Sequence, residues 1–299
     1  MLKSLSFLLP LLTATTVLAN DSSFGDENGT IELQKQPEIS MEKESLFLSE
    51  AKVKVDYEFL NHGSKDQTVS VAFPMPPMYF GDSDHNEISD FKLMVNGKNQ
   101  STERQLVVLL GDNKEDISQA FADTGWTEAD VADFTDSGEI PAGKKALPQE
   151  WLDAEGYPAF TLNEYFTWQQ TFPAGKTISI SHTYTPSVTT GVPQPAKYIL
   201  EEYKEETCID ASAEKGITKR ESEMGVGWAN LRYILTTGKN WNGPIKDFHL
   251  TIQKQNADDL LSLCFDPNLK KTGDRTFEFH QQNFIPQRDL NLLFIRKAQ

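Results

Sequence analysis

The hydrophobic pattern along this chain has a period of two for most of its length. Val53, Val55, Tyr57 and Phe59 alternate with Lys52, Lys54, Asp56 and Glu58, which is the signature of a strand with one dry and one wet face. Beyond the turn-forming Asn61-His62-Gly63-Ser64, Val69, Val71 and Phe73 alternate with Thr68, Ser70 and Ala72, and the two runs read as an antiparallel hairpin. Pro74, Pro76 and Pro77 stop the second run, because proline donates nothing to a strand ladder. Phe91, Leu93 and Val95 predict a further strand ending at Asn96-Gly97, a two-residue hairpin signal. Phe166, Trp168 and Phe172, then Ile178, Ile180, His182 and Tyr184 beyond Pro173-Ala174-Gly175-Lys176, read as a second hairpin. The last third carries short strands around Leu231, Phe248, Leu261, Phe277 and Leu290, spaced as in β-sandwiches.

Between residues 111 and about 156 the period changes. Asp112 or Asn113 can cap a short helix carrying Ile117 and Phe121, and Thr127 with Asp130 approximates a capping box for a second helix with Val131 and Phe134 on one side. The segment is acid-rich and holds a single lysine over 111–136. It reads as an acidic α-helical insertion that covers one edge of a sheet, with a lid or docking surface as the functional alternative. Residues 198–206 read as another short helix, and the proline- and glycine-punctuated stretch 186–195 as a boundary. The fold class is therefore mainly β, in two β-sandwich-like halves, 20–190 and 191–299.

The first nineteen residues stand apart. Lys3, an apolar run and the Val17-Leu18-Ala19 ending have the form of a signal peptide cleaved near Ala19. The apolar run is shorter than the roughly 20 residues of a membrane span, and no later stretch serves as one. A periplasmic or extracellular location follows as an expectation. The chain holds 28 basic and 44 acidic residues, for a formal charge of −16, and the leader holds one lysine and no acid, so export makes the balance slightly more acidic. Nucleic acid and anionic membrane surfaces are repelled by such a surface.

Cys208 and Cys264 are the two cysteines of the chain. An even count in an exported protein reads as one disulfide, worth on the order of 4 kcal/mol in the chain-entropy model for a loop of this length. A redox pair is expected at much closer spacing.

Candidate chemistry is sparse. Ser40-Met41-Glu42-Lys43 and Ser212-Ala213-Glu214-Lys215 match S-x-x-K, and Lys271-Thr272-Gly273 matches K-T-G, but the first leads into strand-like sequence and the last lies in a turn. Ala174-Gly175-Lys176-Thr177 lacks the upstream glycine of a phosphate loop. His62, His85, His182, His249 and His280 show none of the three- or four-residue spacings of a zinc site; His182 falls on the apolar parity of its strand and His249 on the wet parity of its own. Asp82, Asp84 and Asn86, with Asp90, resemble the start of a calcium loop, yet Glu87 replaces the turn glycine and Leu93 the closing glutamate, so calcium is a weak cofactor candidate and none other is indicated. Asn28 and Asn99 head sequons. No catalytic set emerges, which by elimination suggests a non-enzymatic binding or assembly module of the cell envelope with a protein partner. An envelope hydrolase whose site is invisible in sequence, or a calcium-stabilised carbohydrate-binding sandwich, is the alternative.

Several phrases carry a resemblance. Residues 53–61 (VKVDYEFLN), 71–76 (VAFPMP), 172–175 (FPAG), 182–186 (HTYTP) and 241–244 (WNGP) with Phe248 resemble an exported bacterial family known only as a domain of unknown function. The resemblance spans nearly the whole mature chain and implies a Gram-negative periplasmic or secreted protein. It supplies no catalytic residue.

Overall fold

A computed structural model describes residues 22–27, 30–74 and 88–298. The first part of the chain forms β1 (Ser22–Glu27), β2 (Thr30–Gln34), β3 (Ile39–Ser49), β4 (Lys52–Asn61), β5 (Gln67–Pro74), β6 (Ser89–Val95), β7 (Lys98–Gln100), β8 (Glu103–Leu110) and β9 (Glu115–Asp116). Helices α1 (Ser118–Thr124) and α2 (Glu128–Ser137) follow, then the long β10 (Phe160–Phe172), β11 (Thr177–Thr185) and β12 (Thr189–Thr190). Helices α3 (Ala196–Tyr203) and α4 (Ala211–Arg220) precede β13 (Val226–Tyr233), β14 (Ile245–Gln253), β15 (Leu260–Ser262), β16 (Lys270–Lys271), β17 (Thr276–Phe284) and β18 (Leu290–Lys297). The molecule is mainly β and sandwich-like, as its alternating pattern requires.

Three sheets are built from these strands: one of eight in the order β16-β17-β14-β3-β4-β11-β6-β7, one of six in the order β2-β1-β5-β10-β8-β9, and one of four in the order β12-β13-β18-β15. The eight-stranded sheet turns one parity of side chains, among them Leu46, Val55, Phe59, Ile180 and Leu250, into a single core. Val71, Trp168 and Phe172 of the six-stranded sheet and Leu231, Leu292 and Phe294 of the four-stranded sheet join that same core. Two smaller sheets thus cover one face of the large one. The large sheet also draws on chain from both sides of residue 190, since β14 lies parallel to β3 with Leu250 opposite Leu46.

Neither the hairpin expected of 53–59 with 69–73 nor that of 166–172 with 178–184 forms. β4 pairs with β3 and β11 in the eight-stranded sheet, whereas β5 pairs with β10 and β1 in the six-stranded one. β10 and β11 are divided between the same two sheets. Each connection is an arch from one layer to the other, because both partners of each pair have an apolar parity that must face the shared core. The Asn96-Gly97 hairpin does form, with φ of 48° and 74° at its two turn residues joining β6 to β7.

The insertion is helical, with a different start from that expected. Asp112 and Asn113 do not cap α1: Ile117 is its N-cap residue, and Asp116 accepts the Ser118 N–H at 2.9 Å. α2 has the full capping box, Thr127 and Asp130 bonding reciprocally. Phe160 and Leu162 share a parity with Trp168 and Phe172, so all four lie on one face of the long β10. The insertion therefore extends the sandwich core lengthwise, laying Phe121, Val131 and Trp151 over Phe160 and Leu162 as a second cluster. Between the two clusters the Arg104 guanidinium grips the buried Glu164 carboxylate with two nitrogens. A third cluster seats α3 and α4 on the four-stranded sheet through Ile199, Ile217 and Leu293. Helix α4 lies in a stretch with no apolar run to announce it; Asp210 caps it by accepting from Ser212 N and Ala213 N. Cys208 and Cys264 are disulfide-bonded, tying the α3–α4 connection to the chain just beyond β15.

Candidate functional site

Among the described residues, the two smaller sheets cover one face of the eight-stranded sheet and leave its other face to solvent. Antiparallel and parallel registers set its residues in transverse rows. His280 stands opposite His249, His249 opposite Ser45, Ser45 opposite Asp56, Asp56 opposite Ser181 and Ser181 opposite Met94. The next row runs Gln282, Asp247, Lys43, Glu58, Ser179. Each step is one interstrand spacing, so the five strands from β17 to β11 span about 19 Å. Small serines at the middle leave a shallow depression of about 390 Å³ between Ser45, Asp56, Ser179, Ser181 and Met94.

At the β14–β17 end of these rows, Asp247, His249 and His280 converge. Alternation fixes Phe248 and Leu250 into the core and so turns Asp247 and His249 outward. The pairing of β14 with β17 then sets His280 directly across from His249. The imidazole rings lie parallel with centroids 3.9 Å apart. Asp247 Oδ1 is 2.7 Å from His280 Nε2 and 3.2 Å from His249 Nε2, and it accepts from Gln282 Nε2 at 2.6 Å. The bond from His280 holds the Asp247 carboxyl below its ordinary pKa; partial burial opposes the shift, and the nearby His249 and His280 charges favour it. Among the described residues this is the group with metal-ligand donors in reach of one another, its three donor atoms lying within 4.8 Å.

The residues singled out from sequence are scattered. Asp82, Asp84, Asn86, His85 and the leader lie outside the described residues, and Asp90 stands exposed near the start of β6 with φ of 56°. Ser40 is on β3, Ser212 opens α4, and Thr272-Gly273 turn the chain from β16 into β17. His182 is fully buried among Tyr57, Phe73, Phe91 and Trp168. His62 meets Ser40: its Nε2 lies 2.7 Å from Ser40 Oγ, the contact a serine hydrolase uses. Glu42, however, approaches that same Nε2 at 3.9 Å and accepts from Ser40 Oγ, whereas a triad places its acid on the far ring nitrogen. The Ser40 residue is also only 1 % exposed, so the arrangement reads as a polar brace at the start of β3.

A groove beside α3 is lined by Glu201, Glu202, Glu205, Glu206 and Glu221, with Lys197 and Lys204. Burial, reinforced by Glu202, pushes the neighbouring Tyr203 phenol up to about 12.

The histidine pair was missed in sequence because its members are separated by a whole hairpin. His249 showed its outward parity, but the β14–β17 register that supplies His280 has no local signal. Among the described residues, no helix is long and apolar enough to cross a membrane.

Among solved structures, the chain is similar to that of a candidate nutrient-binding protein from Legionella pneumophila subsp. pneumophila strain Philadelphia 1, at 18% identity and a TM-score of 0.49, covering 92% of this chain and 70% of the other. It also matches an M1 zinc metallopeptidase from Deinococcus radiodurans at 11% identity and a TM-score of 0.31, covering 87% of this chain but only 43% of the enzyme. No curated protein matches. Residues 19–293 match the family described as Domain of unknown function (DUF4424), and the chain belongs to that family.

Proposed function

We propose that this protein is an exported, non-enzymatic binding module of the cell envelope, and that it holds a protein partner on the uncovered face of its eight-stranded sheet. The observation that carries this reading is the asymmetry of that sheet: two smaller sheets cover one face, while the other offers mixed-charge rows around a serine-lined depression. Such a surface supplies hydrogen-bond donors, acceptors and both charge signs without a deep reaction chamber, which suits a protein contact better than turnover. The Cys208–Cys264 disulfide and the leader-like start of the sequence support an extracytoplasmic setting.

The test is cross-linking in the native envelope followed by capture and mass spectrometry, with two variants beside the wild type. Ser45→Arg combined with Ser181→Arg fills the depression. A lysine replacement of Asp123, Asp133 and Asp136 nearly neutralises the acidic stretch 111–136. A stoichiometric partner lost only in the first variant is the expected result. Loss only in the second would move the contact surface to the insertion, and wild type yielding bait alone would overturn the partner reading.

A further inference from the structure

We propose that Asp247, His249 and His280 form a binding site for a divalent transition-metal ion of the zinc class. The inference stands on the local geometry and does not depend on the partner reading.

Two imidazole nitrogens and one carboxylate oxygen make a borderline donor set, suited to zinc, nickel or copper rather than to calcium or magnesium, which take oxygen ligands. Around a tetrahedral ion with bonds near 2.0–2.1 Å, neighbouring ligand atoms stand about 3.4 Å apart. The separations from Asp247 Oδ1, 3.2 Å to His249 Nε2 and 2.7 Å to His280 Nε2, are already close to that value, and the two stacked rings must tilt toward each other for both nitrogen lone pairs to meet one ion. Both imidazoles face one oxygen that Gln282 Nε2 also contacts at 2.6 Å, so three nitrogens converge on a single acceptor atom. A cation seated among the two imidazoles and the carboxylate takes the place of the imidazole contacts on that oxygen, and Gln282 then acts from outside the coordination shell to orient the carboxylate.

The backbone also favours the arrangement. His249 and His280 are directly opposed across a ladder of eight paired residues, within a core-backed sheet. Directly opposed residues bring their Cβ atoms to about 5 Å, close enough for two imidazoles to chelate one ion. The site is at the surface, with the His280 side chain 52% exposed, so three protein ligands leave coordination positions open to water or to a donor from another molecule.

The experiment is a zinc titration of the untagged, metal-stripped protein, followed by calorimetry and by the shift in melting temperature. One equivalent of zinc is expected to bind saturably and to raise the melting temperature; calcium and magnesium at the same concentration do neither. His249→Ala and His280→Ala each remove the saturable phase, His62→Ala leaves it intact, and Gln282→Ala weakens it about tenfold. Cobalt substitution adds a readout of coordination, an absorption band present in wild type and absent from the histidine variants. Far-UV circular dichroism checks that the exposed-site variants remain folded. No saturable binding to the wild type, or equal binding by the folded His249→Ala and His280→Ala proteins, overturns the proposal.

Discussion

The Asn61 side-chain amide donates to the backbone carbonyl of Phe172 at 2.8 Å, joining the end of β4 in one sheet to the end of β10 in the other. Asn61 is fully buried, and its Nδ2 also reaches Lys65 O at 2.9 Å while its Oδ1 accepts the Gly63 N–H at 2.8 Å. Its backbone carbonyl accepts from Gly175 N at 2.9 Å, where φ of 62° suits a residue without Cβ. One asparagine thus closes both arches of the sandwich. Asn61→Ala strands a buried carbonyl and a turn amide, and the expected cost is about 2–4 kcal/mol. Urea denaturation checks it; a midpoint unchanged from wild type would show the arches to be held by packing alone.

That asparagine also shows where sequence reading stops. The alternation of 53–59 and of 69–73 gives two strands with correctly assigned dry faces, and both are present. Periodicity tells which side of a strand is apolar and carries no information on which neighbour it pairs with. A tight hairpin turn such as Asn96-Gly97 settles the neighbour locally, whereas the connection after Asn61 leaves it to the core. The same limit hid the candidate metal site: His249 and His280 meet through the long-range pairing of β14 with β17. Thr127 and Asp130, by contrast, are three residues apart, and their capping box was legible because helix geometry alone joins them.

The disulfide gives a second expectation. Cys208–Cys264 spans a sequence separation of 56 and anchors the α3–α4 connection. Replacing both cysteines by serine frees that loop in the unfolded chain, and stability falls by about 2–4 kcal/mol. Thermal melts of the double variant, and of wild type with and without reductant, measure it. Because Ile199, Ile217 and Leu293 still pack together, the double variant keeps its β-sheet circular dichroism below the transition.

Asp130 makes the stability of the insertion depend on pH. Hydrogen bonds from the Thr127 side chain and backbone hold its carboxyl below the ordinary value, with smaller help from Lys144. A carboxyl whose pKa is lower in the folded state stabilises it above the unfolded-state value, and that contribution is lost as pH falls through the folded-state value. Acid titration followed by near-UV circular dichroism of the insertion tryptophans is expected to show the α2 signal lost only below the ordinary carboxylate range, as Asp130 takes up its proton. Asp130→Asn removes the titrating group, so its insertion should be weaker at neutral pH and less sensitive to acid. An identical acid profile in the two proteins would assign the effect to other carboxyls.

The insertion is also expected to unfold apart from the rest. Its cluster of Phe121, Val131, Trp151, Phe160 and Leu162 is distinct from the main core, and the Arg104–Glu164 ion pair lies between them on β8 and β10. Phe121 is 2% exposed, with its ring centroid 5.6 Å from that of Phe160. Phe121→Ala leaves a cavity that costs about 3–4 kcal/mol. A stable main core confines that loss to residues 111–156, because β10 remains paired with β5 and packed through Trp168 and Phe172. Hydrogen exchange should therefore show protection lost in α1 and α2 and retained in β3, β4 and β14. Uniform loss across all these elements would mean that the two clusters fold as a single cooperative unit.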